Sequence, residues 1–223
     1  MARPSRSLGA VSAAALCLAA GEAAAQTAGS IGTVAAANQE AVGTPPTQPT
    51  RALEPKLSVF ENERIETSTA GAGQFIFADR STLTVWPDSD VVLDRYVYDP
   101  DRGAGDMSIS MAKGALRFIG GAISKTSDVR IETPDSVVSV RGGIAHIRRT
   151  AAGDRITFVA GEYVLVEAQG ELVTLSRPTA AALVAPDQPP VFIGVGGVEA
   201  VQEIYEDPLG EGDGGVAEPV SEE

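Results

Sequence analysis

One histidine, one cysteine and thirty carboxylates are the groups in this chain with the chemistry of a reactive site. His146 stands between Ala145 and Ile147 in an alternating, strand-like stretch. A metal centre built on imidazole needs more than one histidine, and the single cysteine, Cys17, lies in an N-terminal apolar run. A nucleophilic serine of the hydrolase kind is presented on a Gly-x-Ser-x-Gly elbow, and the sequence has none. His146 therefore reads as a strand histidine with a satisfied nitrogen. Asp79, Glu132 and Glu162 sit at strand ends beside turn residues, where carboxylates accept backbone hydrogen bonds. Asp88-Ser89-Asp90 and Asp99-Pro100-Asp101 resemble pieces of a calcium loop, but calcium takes about 6–8 oxygens and neither piece supplies the spaced set. Both read as turns. Gly194-Val195-Gly196-Gly197 precedes only a short acidic stretch outside any βαβ unit, so it makes no phosphate cradle. The sequence thus gives no catalytic residue, no cofactor-binding residue and no metal ligand, and a non-enzyme is expected. No residue is singled out for partner binding.

The charge balance narrows the partners. Lys and Arg total 17 against 30 acids, a net charge of −13. Such a chain repels nucleic-acid phosphates unless it holds a basic stripe. Arg141, Arg148, Arg149 and Arg155 come nearest to one, but acids interrupt them and no aromatic platform lies beside them. Nucleic acid is excluded as a partner on this reading.

The N-terminus reads as an export signal over 1–25. Arg3 and Arg6 precede an uncharged run of thirteen residues, Leu8 to Ala20, and small residues at Ala23 and Ala25 precede Gln26. Thirteen residues are too few for a helix across a bilayer, which needs about 20. No later stretch is long enough either, so the mature chain is expected without a transmembrane segment. Leu16 before Cys17 does not fit a lipoprotein signal. After cleavage no cysteine remains, which suits an oxidising compartment and a periplasmic or secreted location.

Residues 26–56 are rich in Ala, Thr, Gln, Gly and Pro and read as a flexible segment, with Ile31 to Val34 a candidate first strand. From 57 to 184 short apolar runs alternate with turn residues at 8–12-residue spacing, rich in β-branched residues. Phe75-Ile76-Phe77 and Thr82 to Val85 flank Ala78-Asp79-Arg80-Ser81 as a hairpin. The fold class is all-β: a β-solenoid-like or sandwich domain of many short strands. Residues 185–209 read as a short strand at Val191-Phe192-Ile193 and a helix with Val198, Val201 and Tyr205 on one side. Residues 210–223 read as a disordered acidic tail.

Several stretches then carry a family pattern. Phe77 to Thr84, Pro87 to Asp94, Val97 to Pro100, Lys113 to Gly121 and Thr133 to Gly142 occur in the order found in the FecR domain. The resemblance covers about residues 57–170 and implies no catalytic residue. Two positions depart from the family pattern. Asp79-Arg80 stands where the family has Asp-Gly, which predicts a different turn type, and Arg141-Gly142-Gly143 stands where it has Arg-Gly-Thr. FecR itself relays a transporter signal to a sigma factor through a membrane helix and a cytoplasmic segment. The resemblance here implies the periplasmic β domain used alone, in a Gram-negative envelope. The expected function is a non-catalytic binding module for an envelope protein or glycan, without cofactor. The alternative is a structural or adhesive component of an exported assembly.

Overall fold

The computed structural model describes residues 29–38 and 40–196. The export signal at 1–25, the helix at Val198 to Tyr205 and the acidic tail at 210–223 lie outside the described residues. In chain order come strands β1 (Ser30–Ala37), β2 (Ala41–Thr44), β3 (Arg51–Ala52) and β4 (Ser58–Phe60). The stretch read as flexible with one opening strand thus supplies three strands. Its Ala and Gly residues have weak strand preference of their own. Pairing on both sides organises it: β1 bonds to β4 and to the strand at Gly73–Phe77. Ile31, Val34, Ala41 and Leu53 are buried there. Gly32 is needed for the close approach, since a Cβ would stand 2.6 Å from the Ile76 carbonyl oxygen.

Next come β5 (Glu63–Thr67), β6 (Gly73–Phe77), β7 (Thr82–Val85), β8 (Asp90–Asp99) and β9 (Ala104–Ile119). The β6–β7 hairpin is where the sequence puts it. Its turn, however, keeps the left-handed backbone that a glycine would take: Arg80 has φ 67°. The expected change of turn type does not occur at that residue. A side chain there costs roughly 1 kcal/mol, and the contacts of neighbouring Asp79 hold the turn in place. β9 runs through Lys113-Gly114 without a break, and Gly114 takes φ +96°.

A five-residue helix, α1 (Ala122–Thr126), follows. The remaining strands are β10 (Val129–Glu132), β11 (Val137–Arg141), β12 (Ile144–Thr150), β13 (Gly153–Ala160), β14 (Tyr163–Ala168), β15 (Glu171–Leu175), β16 (Ala180–Val184) and β17 (Val191–Val195).

The strands form one hydrogen-bonded network with two ladders that share β9. The first runs β4-β1-β6-β7-β9-β12-β13-β16-β17, antiparallel throughout. The second runs β3-β2-β5-β8-β9-β10-β11-β14-β15, with β9–β10 the one parallel pair. Residues 104–113 of β9 serve the second ladder and 114–119 the first. The chain is all-β, with a core where the inward rows of both ladders meet. Phe75, Phe118 and Phe158 enter it from the first ladder, and Ile65, Met111 and Val166 from the second. Burying each such side chain stabilises by about 1.5–3 kcal/mol. Among the described residues no helix is long and apolar enough to cross a membrane.

Candidate functional site

Asp79 is the centre of the best-connected polar cluster. It is 1% exposed. One carboxylate oxygen accepts from the Ser81 N–H at 3.0 Å and from Tyr96 Oη at 3.2 Å. The other accepts from Ser81 Oγ at 2.7 Å and from the Ile123 N–H at 3.1 Å. The Asp79 N–H in turn donates to Tyr96 Oη at 2.7 Å, and its carbonyl accepts from the Ala122 N–H at 2.8 Å. The Gly121 N–H donates to Ser81 Oγ at 3.0 Å. A Cβ on Gly121 would stand 2.3 Å from the Asp79 carbonyl oxygen, so a glycine is required where α1 docks on the turn. Burial, and then the Asp79 charge, push the Tyr96 hydroxyl well above the usual phenol range. Its ring stacks on Phe77 at 5.7 Å.

These contacts define what Asp79 does. Four donors occupy its two oxygens, which compensates the cost of burying the charge. A general base needs a lone pair aimed at a substrate proton. Here the lone pairs tie the β6–β7 turn to β8 and α1.

Two open clefts flank this cluster. One, about 620 Å³, is bounded by Arg80, Tyr98, Gly103, Gly120 and Lys125. The other, about 760 Å³, is bounded by Pro46, Glu61, Asn62, Tyr96, Tyr98 and Pro100. Both include Ala78 and Tyr98, so the two make one groove with Tyr98 at its middle. Arg80 and Lys125 are exposed cations at one end, and Glu61 lies at the other. Proline, tyrosine and asparagine line the part between.

Two further buried carboxylates brace turns elsewhere. Asp154 accepts from Ser136 Oγ at 2.7 Å, from Thr133 Oγ1, and from Arg149 at 2.8 Å; Arg149 also contacts Asp135. Glu63 is fully buried and accepts from Arg51 at 3.0 Å and from the Phe60 N–H at 3.0 Å. Arg141, at the end of β11, donates to Asp128 at 2.6 Å, and the Tyr163 hydroxyl donates to the same oxygen at 3.2 Å.

The residues that sequence reasoning weighed for chemistry fall in separate places. His146 is buried on β12, edge-on to Trp86 at 5.3 Å, with Arg117 over the same indole at 5.5 Å. Asp90 pairs with Arg64 through both oxygens, at 2.8 and 2.5 Å. Ser89 Oγ accepts from the Ala115 N–H at 3.0 Å. Asp99 caps its own turn by accepting from the Asp101 N–H at 3.0 Å. Glu132 pairs with Arg130 at 3.2 Å, and Glu162 is exposed. Of these carboxylates, among the described residues, only Asp79 lines the groove. The helix α1 that completes its shell escaped sequence reasoning, because five residues show no periodicity; Gly120-Gly121 ahead of it was the one available signal.

The stretches that assemble this groove, at Phe77 to Ser81, at Val97 to Pro100 and at Gly120-Gly121, are parts of one family pattern. Residues 63–162 match the family model described as FecR protein. The chain carries a FecR domain. The matched span of this domain runs from Glu63 through the Asp79 cluster and α1 to the β13–β14 turn. Two crystal structures of a candidate anti-sigma factor from Parabacteroides distasonis ATCC 8503 are similar to the chain at 12% identity. One has a TM-score of 0.50 and the other 0.49, and each aligns with 64% of this chain. The chain spans 64% and 65% of the length of those solved chains, respectively, and at 12% identity the likeness to the first is one of fold. No curated protein matches the chain.

Proposed function

We propose that this chain is an exported, non-catalytic binding module whose FecR domain engages an envelope protein and takes part in envelope signalling. The groove centred on Tyr98 carries the reading. It is open and elongated, cationic at the Arg80–Lys125 end and acidic at Glu61. An extended protein segment with the opposite charge order fits those ends, and tyrosine and proline supply its apolar contact. The Asp79 carboxylate, taken up by Ser81, Ile123 and Tyr96, is a strut under this surface. Residues 1–25 support export to the periplasm or beyond. The partner is a protein of the envelope; an envelope glycan is the competing ligand class.

The test is capture from envelope extract by the mature chain, run beside Tyr98→Ala and Lys125→Glu. One protein should be retained by the parent and by Leu172→Ala, and lost by both groove variants. Equal capture by all four would remove the groove from the account. A second reading, a structural component of an exported assembly, draws on β17. That strand ends its ladder, and all five of its residues are exposed or half-exposed, including Val191, Phe192, Ile193 and Val195. Such an edge adds strands readily.

A further inference from the structure

The β6–β7 loop carries a side chain where glycine is the usual occupant. The Arg80 N–H donates to the Phe77 carbonyl and the Phe77 N–H to the Ser81 carbonyl, each at 2.9 Å. The last residue of such a three-residue loop is left-handed, and glycine takes that backbone without strain. Here it is Arg80, at φ 67°. The left-handed backbone alone assigns nothing, since Lys56 and Gln169 share it. The surroundings of the side chain do. Arg80 is exposed and, among the described residues, its guanidinium makes no hydrogen bond or ion pair. The exposed arginines Arg64, Arg95, Arg102 and Arg130 each hold a carboxylate. Arg80 instead lines the cleft of about 620 Å³ together with Lys125, which is exposed and equally without an ion pair among the described residues.

The other polar groups on that wall are already used. Asp79, its one carboxylate, is buried, and four donors take its oxygens. The N–H groups of Gly120, Gly121 and Ala122 donate to Gly143, Ser81 and Asp79. The Thr126 hydroxyl lies 3.1 Å from the Gly103 and Ile123 carbonyls and donates there. What remains is the Arg80 fork, the Lys125 ammonium and the Tyr98 hydroxyl, which makes no hydrogen bond among the described residues. Two cations and a phenol with no free carboxylate among them suit a carboxylate ligand, and the planar guanidinium can bond both of its oxygens. The cleft is open and continues past Tyr98, so a chain can pass through it and offer that group as a side chain. We propose that Arg80 is the residue that selects the partner, by pairing with an aspartate or glutamate side chain of the extended segment in the groove, with Lys125 and Tyr98 beside it. This role rests on the groove's being a protein-binding site, and it names the group by which the segment is chosen. The strained turn is the means of holding the guanidinium at the cleft.

The test titrates the mature chain with end-blocked peptides of alternating valine and threonine that carry lysine at one end and either glutamate or glutamine at the other. Binding is read from the amide shifts of Tyr98, Gly103 and Ala122. The glutamate peptide should bind the parent about fivefold more tightly than the glutamine peptide. High salt should reduce that preference, because an exposed ion pair is screened. Arg80→Gly should bind both peptides alike while melting no lower than the parent, since glycine relieves the left-handed backbone; the lost preference is then not a lost fold. Arg80→Lys, which keeps the charge but not the fork, should keep part of the preference. If the parent binds both peptides alike at the groove amides, the role of Arg80 falls and the groove stands as a protein site. A preference retained in Arg80→Gly also overturns the proposal. No shift at those amides with either peptide overturns the groove reading and this role with it.

Discussion

Asp79 and Tyr96 are bonded to each other twice: the Asp79 N–H donates to the phenol oxygen at 2.7 Å, and the phenol donates back to the carboxylate at 3.2 Å. Residues 17 apart in sequence thereby fix the β6–β7 turn against β8. Asp79→Ala removes the acceptor for four donors and should cost about 3 kcal/mol. Tyr96→Phe leaves the Asp79 N–H without its partner and should cost about 1–2 kcal/mol. The double variant should cost less than the sum, since the two share their bonds. Urea unfolding of the three variants measures this; strict additivity would mean that the pair is not a unit.

The glycines of two bends should respond differently to one added methyl group. At Gly114, φ is +96° and a Cβ would stand 2.1 Å from Ser89 Oγ and 2.4 Å from Ser89 Cα. Gly114→Ala should therefore cost about 3 kcal/mol or more, through both strain and collision. At Gly142, φ is +51° and the nearest atom to a Cβ is 3.9 Å away. Gly142→Ala should cost only the conformational term, about 1 kcal/mol, and Gly142→Val more than that. Thermal melts that ranked Gly142→Ala worse than Gly114→Ala would contradict the backbone geometry.

These same positions show what the sequence made legible. Alternation with frequent turn residues was enough for the all-β class, for the β6–β7 hairpin and for a last strand at Val191-Phe192-Ile193, which opens β17. That one strand, β9, runs through Lys113-Gly114 and serves both ladders follows only from its pairing. The core of β1 was legible at Ile31 to Val34, but β2 and β3 were not, because their short stretches become strand here through long-range pairing with β5 and with each other. In the groove, Asp79 was legible as a turn carboxylate. Its bonds to Tyr96 and Ile123 span 17 and 44 residues, and no local pattern encodes them. Arg141, legible only as part of an interrupted basic run, pairs with Asp128, 13 residues away.

Two carboxylates on β8 should give opposite pH dependences. Arg64, chiefly through its hydrogen bond, holds Asp90 below its ordinary 3.8. Its contribution to stability is complete above 3.8 and is lost as pH falls through the lowered folded value. Arg64→Ala should abolish that acid-side loss, and because Arg64 is half-exposed the change should stay under about 1 kcal/mol. Burial pushes Asp94 above its ordinary value. Its contribution is present below that value and is lost as pH rises through the folded one. Asp94→Asn should therefore gain stability at neutral pH relative to the parent, and little in acid. Parallel pH–stability curves for all three proteins would refute both assignments.

Export has a direct readout. Intact mass measurement of the protein recovered from its native envelope should give a chain beginning at or near Gln26. Recovery there of a chain still beginning at Met1 would contradict the signal assigned to residues 1–25.

Site-specific photo-cross-linking in the native envelope tests the groove itself. A photoreactive side chain in place of Tyr98 should form a covalent adduct with one discrete envelope protein. The same group in place of Leu172, which is 63% exposed on β15, should not. Equal adducts from both positions, or an adduct from Leu172 alone, would contradict a binding role for the Tyr98 groove.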